Sequence, residues 1–324
     1  MKEKMKEKEK MKEEEKEKIP SNVIIKTSYA FTKNMMIPRY SSSIIEQIMQ
    51  YIKRYPNNYE NLEIEAKLGR FEFKGEAMKN FEKINDIFII PDSIRTQDQK
   101  NKYNFISGVC ARNFYLIWSA LEKESKLKGS NITCIKPMFF RDTIYSGNYN
   151  GNKRKSEIFK NGGKIKEETI RKENKEHINV RNNGCDFRIT CSKEMPTEID
   201  EKRDKLENVR EKYRTSYQLT FFRVDLTLCK DKSGETFEVE IELNKLRDEL
   251  IRVKQIDENN IRLILDRFIQ NIFNLYSVLV PESIAYNAQQ EEQIKNELGL
   301  NKHLKKEEIN NTFGNYFQNN LFPK

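Results

Sequence analysis

Two stretches of the chain alternate apolar and charged residues without a break. Phe237-Glu238-Val239-Glu240-Ile241-Glu242-Leu243 puts three carboxylates on one side of an extended backbone and apolar side chains on the other. Leu62-Glu63-Ile64-Glu65-Ala66-Lys67-Leu68 does the same, with Glu63, Glu65 and Lys67 sharing a face. Like charges in a row on one strand face cost stability unless a cation stands opposite. The two acidic faces are therefore expected to meet around a metal ion.

The same period predicts further strands. Met138 to Tyr145 places Arg141 and Thr143 together. Cys185 to Glu194 aligns Asp186, Arg188, Thr190, Ser192 and Glu194. Arg210, Lys212 and Arg214 share a face of the next strand, and Arg223, Asp225 and Thr227 share a face of the one after. Lys232-Ser233-Gly234-Glu235 reads as the turn into the late Glu-rich strand. Glu168 to Val180 reads as a strand pair, Ser146 to Lys155 as a Gly/Asn-rich loop, and Pro196 to Leu206 as a surface connection.

Three stretches change to helical spacing. Ser43-Ile44-Ile45-Glu46 resembles a capping box, followed by Ile48, Tyr51, Ile52 and Tyr55 up to Pro56. A second pattern runs from Phe105 to Leu127 with Phe114, Trp118 and Leu121 on one side. A third starts at Asp257 as N-cap, continues through Ile261, Leu265, Phe268, Ile272 and Tyr276, and stops at Pro281. All three stripes are expected to pack a core. Residues 1–18 contain only Lys, Glu and Met and have no apolar face, which predicts a solvated tail. The expected organisation is a tail over 1–20, one domain over 21–283 and a polar, partly helical extension over 284–324, with an amphipathic pattern from Glu291 to Leu300.

The polar faces are sorted by charge type. Glu63, Glu65, Glu238, Glu240 and Glu242 lie on one group of strands, and Arg141, Arg188, Arg210, Lys212, Arg214 and Arg223 on another. A solvent face needs no such sorting, whereas the interior of a closed barrel does, because inward charges must be compensated. The expected fold class is α+β: a closed antiparallel β-barrel of about eight strands with a polar lumen, covered outside by the helices.

Composition narrows the chemistry. The 324 residues carry 59 Lys+Arg against 50 Asp+Glu, a formal net charge of +9 that suits a phosphate-rich partner. Five cysteines without a CxxC pair, and only His177 and His303, argue against a structural zinc site and against His-based nucleophilic catalysis; they suit a reducing compartment. No apolar run is long enough to span a bilayer. Glutamate oxygens favour Mg²⁺ or Mn²⁺. Lys and Arg walls favour a polyanion, and the combination points to phosphohydrolase chemistry.

Paired Glu-x-Glu strands near both ends of a charged β-region resemble the triphosphate tunnel metalloenzymes. Within these the chain is most similar to the metal-dependent RNA 5′-triphosphatases of fungal and protozoan mRNA capping, over roughly residues 40 to 280. The resemblance implies Glu63, Glu65 and Glu242 as direct metal ligands, with Glu240 completing the site and Glu238 supporting the basic wall. It implies Arg210, Lys212 and Arg214 as the strand that grips the triphosphate, supported by Arg223, Asp225 and Thr227. Arg141, Arg188 and Lys172 would complete the phosphate contacts, Glu194 would orient the attacking water, and Lys67 would serve as a wall or ion-pair residue. Arg188 stands where many relatives have Lys, and the segment from Ser146 to Lys166 is longer than the match needs. The one tryptophan, Trp118, does not support the Trp-rich docking segment of fungal members, and the Lys/Asn/Ile-heavy composition favours a protozoan-like member.

As implied by the resemblance, the substrate is the 5′-triphosphate end of nascent RNA, with Mn-dependent hydrolysis of free NTPs alongside. The partner is mRNA guanylyltransferase, the location the nucleus, and a homodimer is compatible. Two alternatives stand beside this: a tripolyphosphatase or thiamine triphosphatase of the same superfamily, and a non-catalytic module that binds polyphosphate or RNA ends.

Overall fold

The computed structural model describes residues 41–55, 59–73, 88–91, 103–146, 152–160, 162–181, 185–200, 202–244, 246, 250 and 258–279. All belong to one compact unit, Met35–Lys324. The expected domain boundaries at 20/21 and 283/284 lie outside the described residues, as do Pro56, Asp257, Pro281 and the pattern from Glu291 to Leu300.

The elements in chain order are α1 (Ser41–Arg54), β1 (Leu62–Phe73), β2 (Phe88–Pro91), β3 (Tyr103–Ser107), α2 (Ala111–Ser125), β4 (Thr133–Ser146), β5 (Lys153–Lys160), β6 (Gly163–Arg181), β7 (Asp186–Pro196), β8 (Lys205–Gln218), β9 (Arg223–Asp231), β10 (Gly234–Glu242) and α3 (Glu258–Ser277). Eight strands form a closed antiparallel ring in the order β1-β7-β6-β5-β4-β8-β9-β10, and β10 returns to pair with β1. β3 takes over the β10 edge of β1 at Gly69–Phe73, and β2 adds to the end of β6. At Gly69 the strands approach so closely that a Cβ would stand 2.2 Å from the Ile106 carbonyl oxygen, so only glycine fits.

The apolar half of each alternating pattern points away from the lumen. Ile64, Ala66, Leu68, Phe187, Ile189, Val224, Leu226, Val239 and Ile241 are all buried. The helices supply the cover. Phe268, Ile269 and Ile272 of α3 and Ile44, Ile48 and Met49 of α1 have no exposed surface, and Phe273 meets Phe187 edge-on at 5.5 Å. Phe114 of α2 lies 5.2 Å from Phe237 of β10. Each such side chain contributes roughly 1.5–3 kcal/mol of burial. On β4, β5 and β8 the outward Phe139, Phe159 and Tyr213 stack on one another while only half-buried.

Four expectations need correction. The first helix already includes Ser41, so Ser43 is not its cap but lies inside it, accepting from Gln47. The second starts at Ala111; Phe105 belongs to β3, because Gly108, at φ +117°, turns the chain between the two elements. Lys153, Arg154 and Lys155 begin β5 rather than ending a loop. Glu168 to Val180 lies within a single strand, β6, interrupted by a bulge between Glu173 and Glu176 where Asn174 has φ 49°.

Candidate active site

Barrel closure brings the acidic strands side by side. Across the seam Glu65 pairs with Glu242 and Lys67 with Glu240. On the other edge of β1, Ser192, Thr190 and Arg188 of β7 stand beside Glu63, Glu65 and Lys67. From β10 the rows continue into the basic strands: Glu242 beside Arg223, Glu240 beside Asp225, and Glu238 beside Thr227 and then Arg214. Paired residues in an antiparallel sheet share a face. All of these side chains therefore line one interior.

The charges interlock. Lys67 Nζ lies 2.6 Å from Glu240 and 3.5 Å from Glu65. The ammonium of Lys172 sits between Glu63 and Glu65, 3.2 Å from the latter and 3.7 Å from Glu194. Arg210 donates to Glu238 at 2.6 Å. Arg214 donates to Asp225, Glu240 and Thr227 at 2.8, 3.0 and 3.0 Å. Arg223 forks onto Asp225 at 2.8 and 3.0 Å and reaches Glu242 at 2.5 Å. Because Asp225 is 1 % exposed, removing Arg214 would leave buried carboxylates short of a cation, which costs about 3–5 kcal/mol.

Compensation is uneven, and the carboxylates differ accordingly. Burial, then the neighbouring Glu65 charge, pushes Glu63 up to about 7. Burial likewise raises Glu242, even with Arg223 alongside. At Glu65 burial also acts upward, but the charges of Lys67 and Lys172 outweigh it and hold the group below the usual range. Lys67, Arg214 and Lys212 do the same more strongly for Glu240.

Two residues not singled out in the sequence complete the interior. Asp142 of β4 is 2 % exposed and accepts from Ser156 at 2.7 Å and Lys212 at 2.5 Å. Arg154 of β5 donates to Glu194 at 3.2 Å, and its charge environment includes Asp142, Glu63 and Glu65. Arg141, expected on the phosphate wall, falls on the opposite face: it pairs with Glu211 at 3.4 Å on the outer side of β4 and β8. Alternation on β4 is ambiguous because both faces mix aromatic and polar residues, and the first residues of β5 are uniformly polar, so neither Asp142 nor Arg154 carries a strand signal. Arg188 lies on the lumen row of Lys67. Its guanidinium stacks on Phe105 at 4.7 Å and donates to Asn179 at 2.7 Å.

Glu63, Glu65 and Glu242 offer oxygen donors of the kind a hard divalent cation takes. As the side chains stand, Lys172 occupies the Glu63–Glu65 pair and Arg223 holds Glu242. Among the described residues no three acidic groups converge at ligand distance. The residues fit the metal in chemistry and need side-chain movement to receive it.

Residues 38–278 match the model of the mRNA capping enzyme beta-chain family, the mRNA triphosphatases. The chain belongs to that family. It is an RNA 5′-triphosphatase of mRNA capping, a hydrolase with the triphosphate tunnel fold, in a family that is metal-dependent. Among solved structures it is similar to the Schizosaccharomyces pombe Pct1 RNA triphosphatase in complex with the Spt5 CTD, at 20% identity, covering 79% of this chain and 100% of that one with a TM-score of 0.59. Pct1 alone gives 19% identity, 76% and 96% coverage and a TM-score of 0.58. The RNA triphosphatase domain of a trifunctional mimivirus capping enzyme matches at 16% identity, 68% and 96% coverage and a TM-score of 0.36. Among curated proteins none matches the sequence.

Proposed function

We propose that the triphosphate end of RNA lies along this lumen, with Glu63, Glu65 and Glu242 holding Mg²⁺ or Mn²⁺ and Glu240 completing the site. The observation that carries this reading is the pairing of Glu65 with Glu242 inside a cation-lined barrel. When bound, the metal supplies a Lewis acid against the phosphoryl oxygens.

Lys212, Arg214, Arg154 and Lys172 take the phosphate oxygens and spread the charge that develops on them in the transition state. Substrate has to draw these cations from their present carboxylate partners, and the arriving anion and metal offset that exchange. Arg210, Arg223, Asp225, Thr227 and Glu238 hold the grip in place through the contacts described above. Glu194, beside Arg154 and Lys172, orients the attacking water. Lys67 keeps Glu65 and Glu240 ionised. Arg188 contributes charge at the Phe105 end of the lumen.

A lumen that recognises three phosphates and a metal has little need of a base, so free NTPs are hydrolysed with Mn²⁺ as well. The product diphosphate end passes to mRNA guanylyltransferase, and the chain acts in the nucleus. No described helix is long and apolar enough to cross a membrane. Phosphate release from 5′-triphosphate RNA tests the assignment. Glu65→Ala and Glu242→Ala are each expected to lose about 100-fold or more of the rate, since each removes a metal ligand. Unchanged turnover in both would end it.

A further inference from the structure

The bulge in β6 has a use. Glu173 pairs with Lys193 and Glu176 with Cys191, so Asn174 and Lys175 together oppose Ser192. Ser192 is a lumen residue whose hydroxyl donates to Glu63 at 3.0 Å. The charges that act on Lys175 are those of Lys172, Glu65, Lys67 and Glu63, all on the interior. An extra residue in a strand re-aims a side chain, and such bulges gather next to active sites. Here it brings a lysine into the acidic end of the lumen, three positions after Lys172.

The bulge is held from outside. The fully buried Tyr51 of α1 donates its hydroxyl to the Asn174 carbonyl at 3.0 Å, and Arg54 of the same helix pairs with Glu176 at 2.6 Å. Asn174, in the left-handed region, is a residue type that tolerates it.

Lys175 differs from the other lumen lysines. Lys67, Lys172 and Lys212 each sit on a carboxylate. Among the described residues Lys175 makes no hydrogen bond or ion pair. Its side chain is exposed, where Lys67 and Lys172 are half-buried and Lys212 is buried. Partial desolvation, then repulsion from Lys172, holds its ammonium below the usual lysine range, with Lys67 adding to the repulsion. It thus has donors to offer an incoming anion without first giving up a partner.

We propose that Lys175 is a substrate-binding residue, donating to an oxygen of the bound polyphosphate chain beside Lys172. This rests on the polyphosphate reading of the lumen and adds a contact to it.

Calorimetric titration of the full chain with inorganic tripolyphosphate, without added metal, tests it. Lys175→Ala is expected to weaken binding by roughly 10-fold, the scale of one hydrogen bond to a charged group, with its thermal midpoint unchanged. Lys175→Arg, which keeps the charge, is expected to stay within about threefold of the parent. Lys175→Ala binding as tightly as the parent overturns the inference alone. So does an equal loss in both variants accompanied by a lowered midpoint, which marks a structural role. A parent chain that binds no tripolyphosphate overturns the lumen reading, and this inference with it.

Discussion

Glu65 and Glu242 face each other across the seam that closes the barrel, paired directly in the register of β1 and β10. Directly opposed carboxylates repel, and the pairing stands because Lys67 and Lys172 flank Glu65 while Arg223 holds Glu242. The first and last strands of the barrel therefore build one acidic patch, and the cations of β5, β6 and β8 face it. The seam and the acidic patch share the same residues.

The outward turn of Arg141 and the inward turn of Arg154 separate two arginines that sequence alone does not distinguish. Arg141→Ala is expected to leave kcat/KM for triphosphate RNA within about twofold, as for a half-exposed ion pair outside the lumen. Arg154→Ala is expected to lower it by about 10-fold or more, from loss of a charge-assisted contact and of the partner of Glu194. Steady-state rates of the two variants decide it; the reverse order would contradict the face assigned to β4.

Much of this was legible in the sequence, and the limits have physical causes. The lumen rows of β1, β7, β9 and β10 follow from alternation, because these strands have one largely apolar face under helices or neighbouring strands, and that of β8 from three cations two positions apart, although its outer face carries Glu211 and Tyr213. Lys172 needed the strand to be seen as one piece, and the bulge at Asn174 hid that by shifting the period between Lys172 and His177. Arg154 and Asp142 stayed hidden because β4 and β5 lie where the outer face is half-open, so their outward residues need not be apolar. Phe105 was assigned to a helix by spacing alone; pairing with β1, a contact distant in sequence, makes it a strand.

Glu63 gives the metal-free protein a distinctive pH response. Its value in the fold is about 7, against 4.5 as the reference for the unfolded chain. Between these the folded state binds more protons, so this group's contribution is fully present below about 4.5 and is lost as pH rises towards 7. The urea midpoint is expected to fall between about pH 5 and pH 7, and Glu63→Gln, which cannot ionise, to flatten the fall. A drop of equal size in the variant would assign the effect elsewhere.

Gly69 marks where β3 presses on β1. A methyl group there meets the Ile106 carbonyl at 2.2 Å and the Phe105 ring at 2.7 Å, and a backbone oxygen cannot swing aside. Gly69→Ala is expected to lower stability by about 1–3 kcal/mol, as overpacking does, in chemical denaturation. Gly163→Ala, whose Cβ would meet nothing nearer than 3.9 Å, serves as the comparison. Equal stabilities would contradict the close approach.

Binding of Mn²⁺, followed by electron paramagnetic resonance, tests most directly whether the early and late acidic strands share one metal site. The parent chain is expected to take up about one tight ion, and Glu65→Gln and Glu242→Gln each to weaken it by about 10-fold or more, with the double variant little worse than either single one. If Glu242→Gln bound Mn²⁺ like the parent while Glu65→Gln did not, the two strands would not share the ion, and the site described here would be wrong.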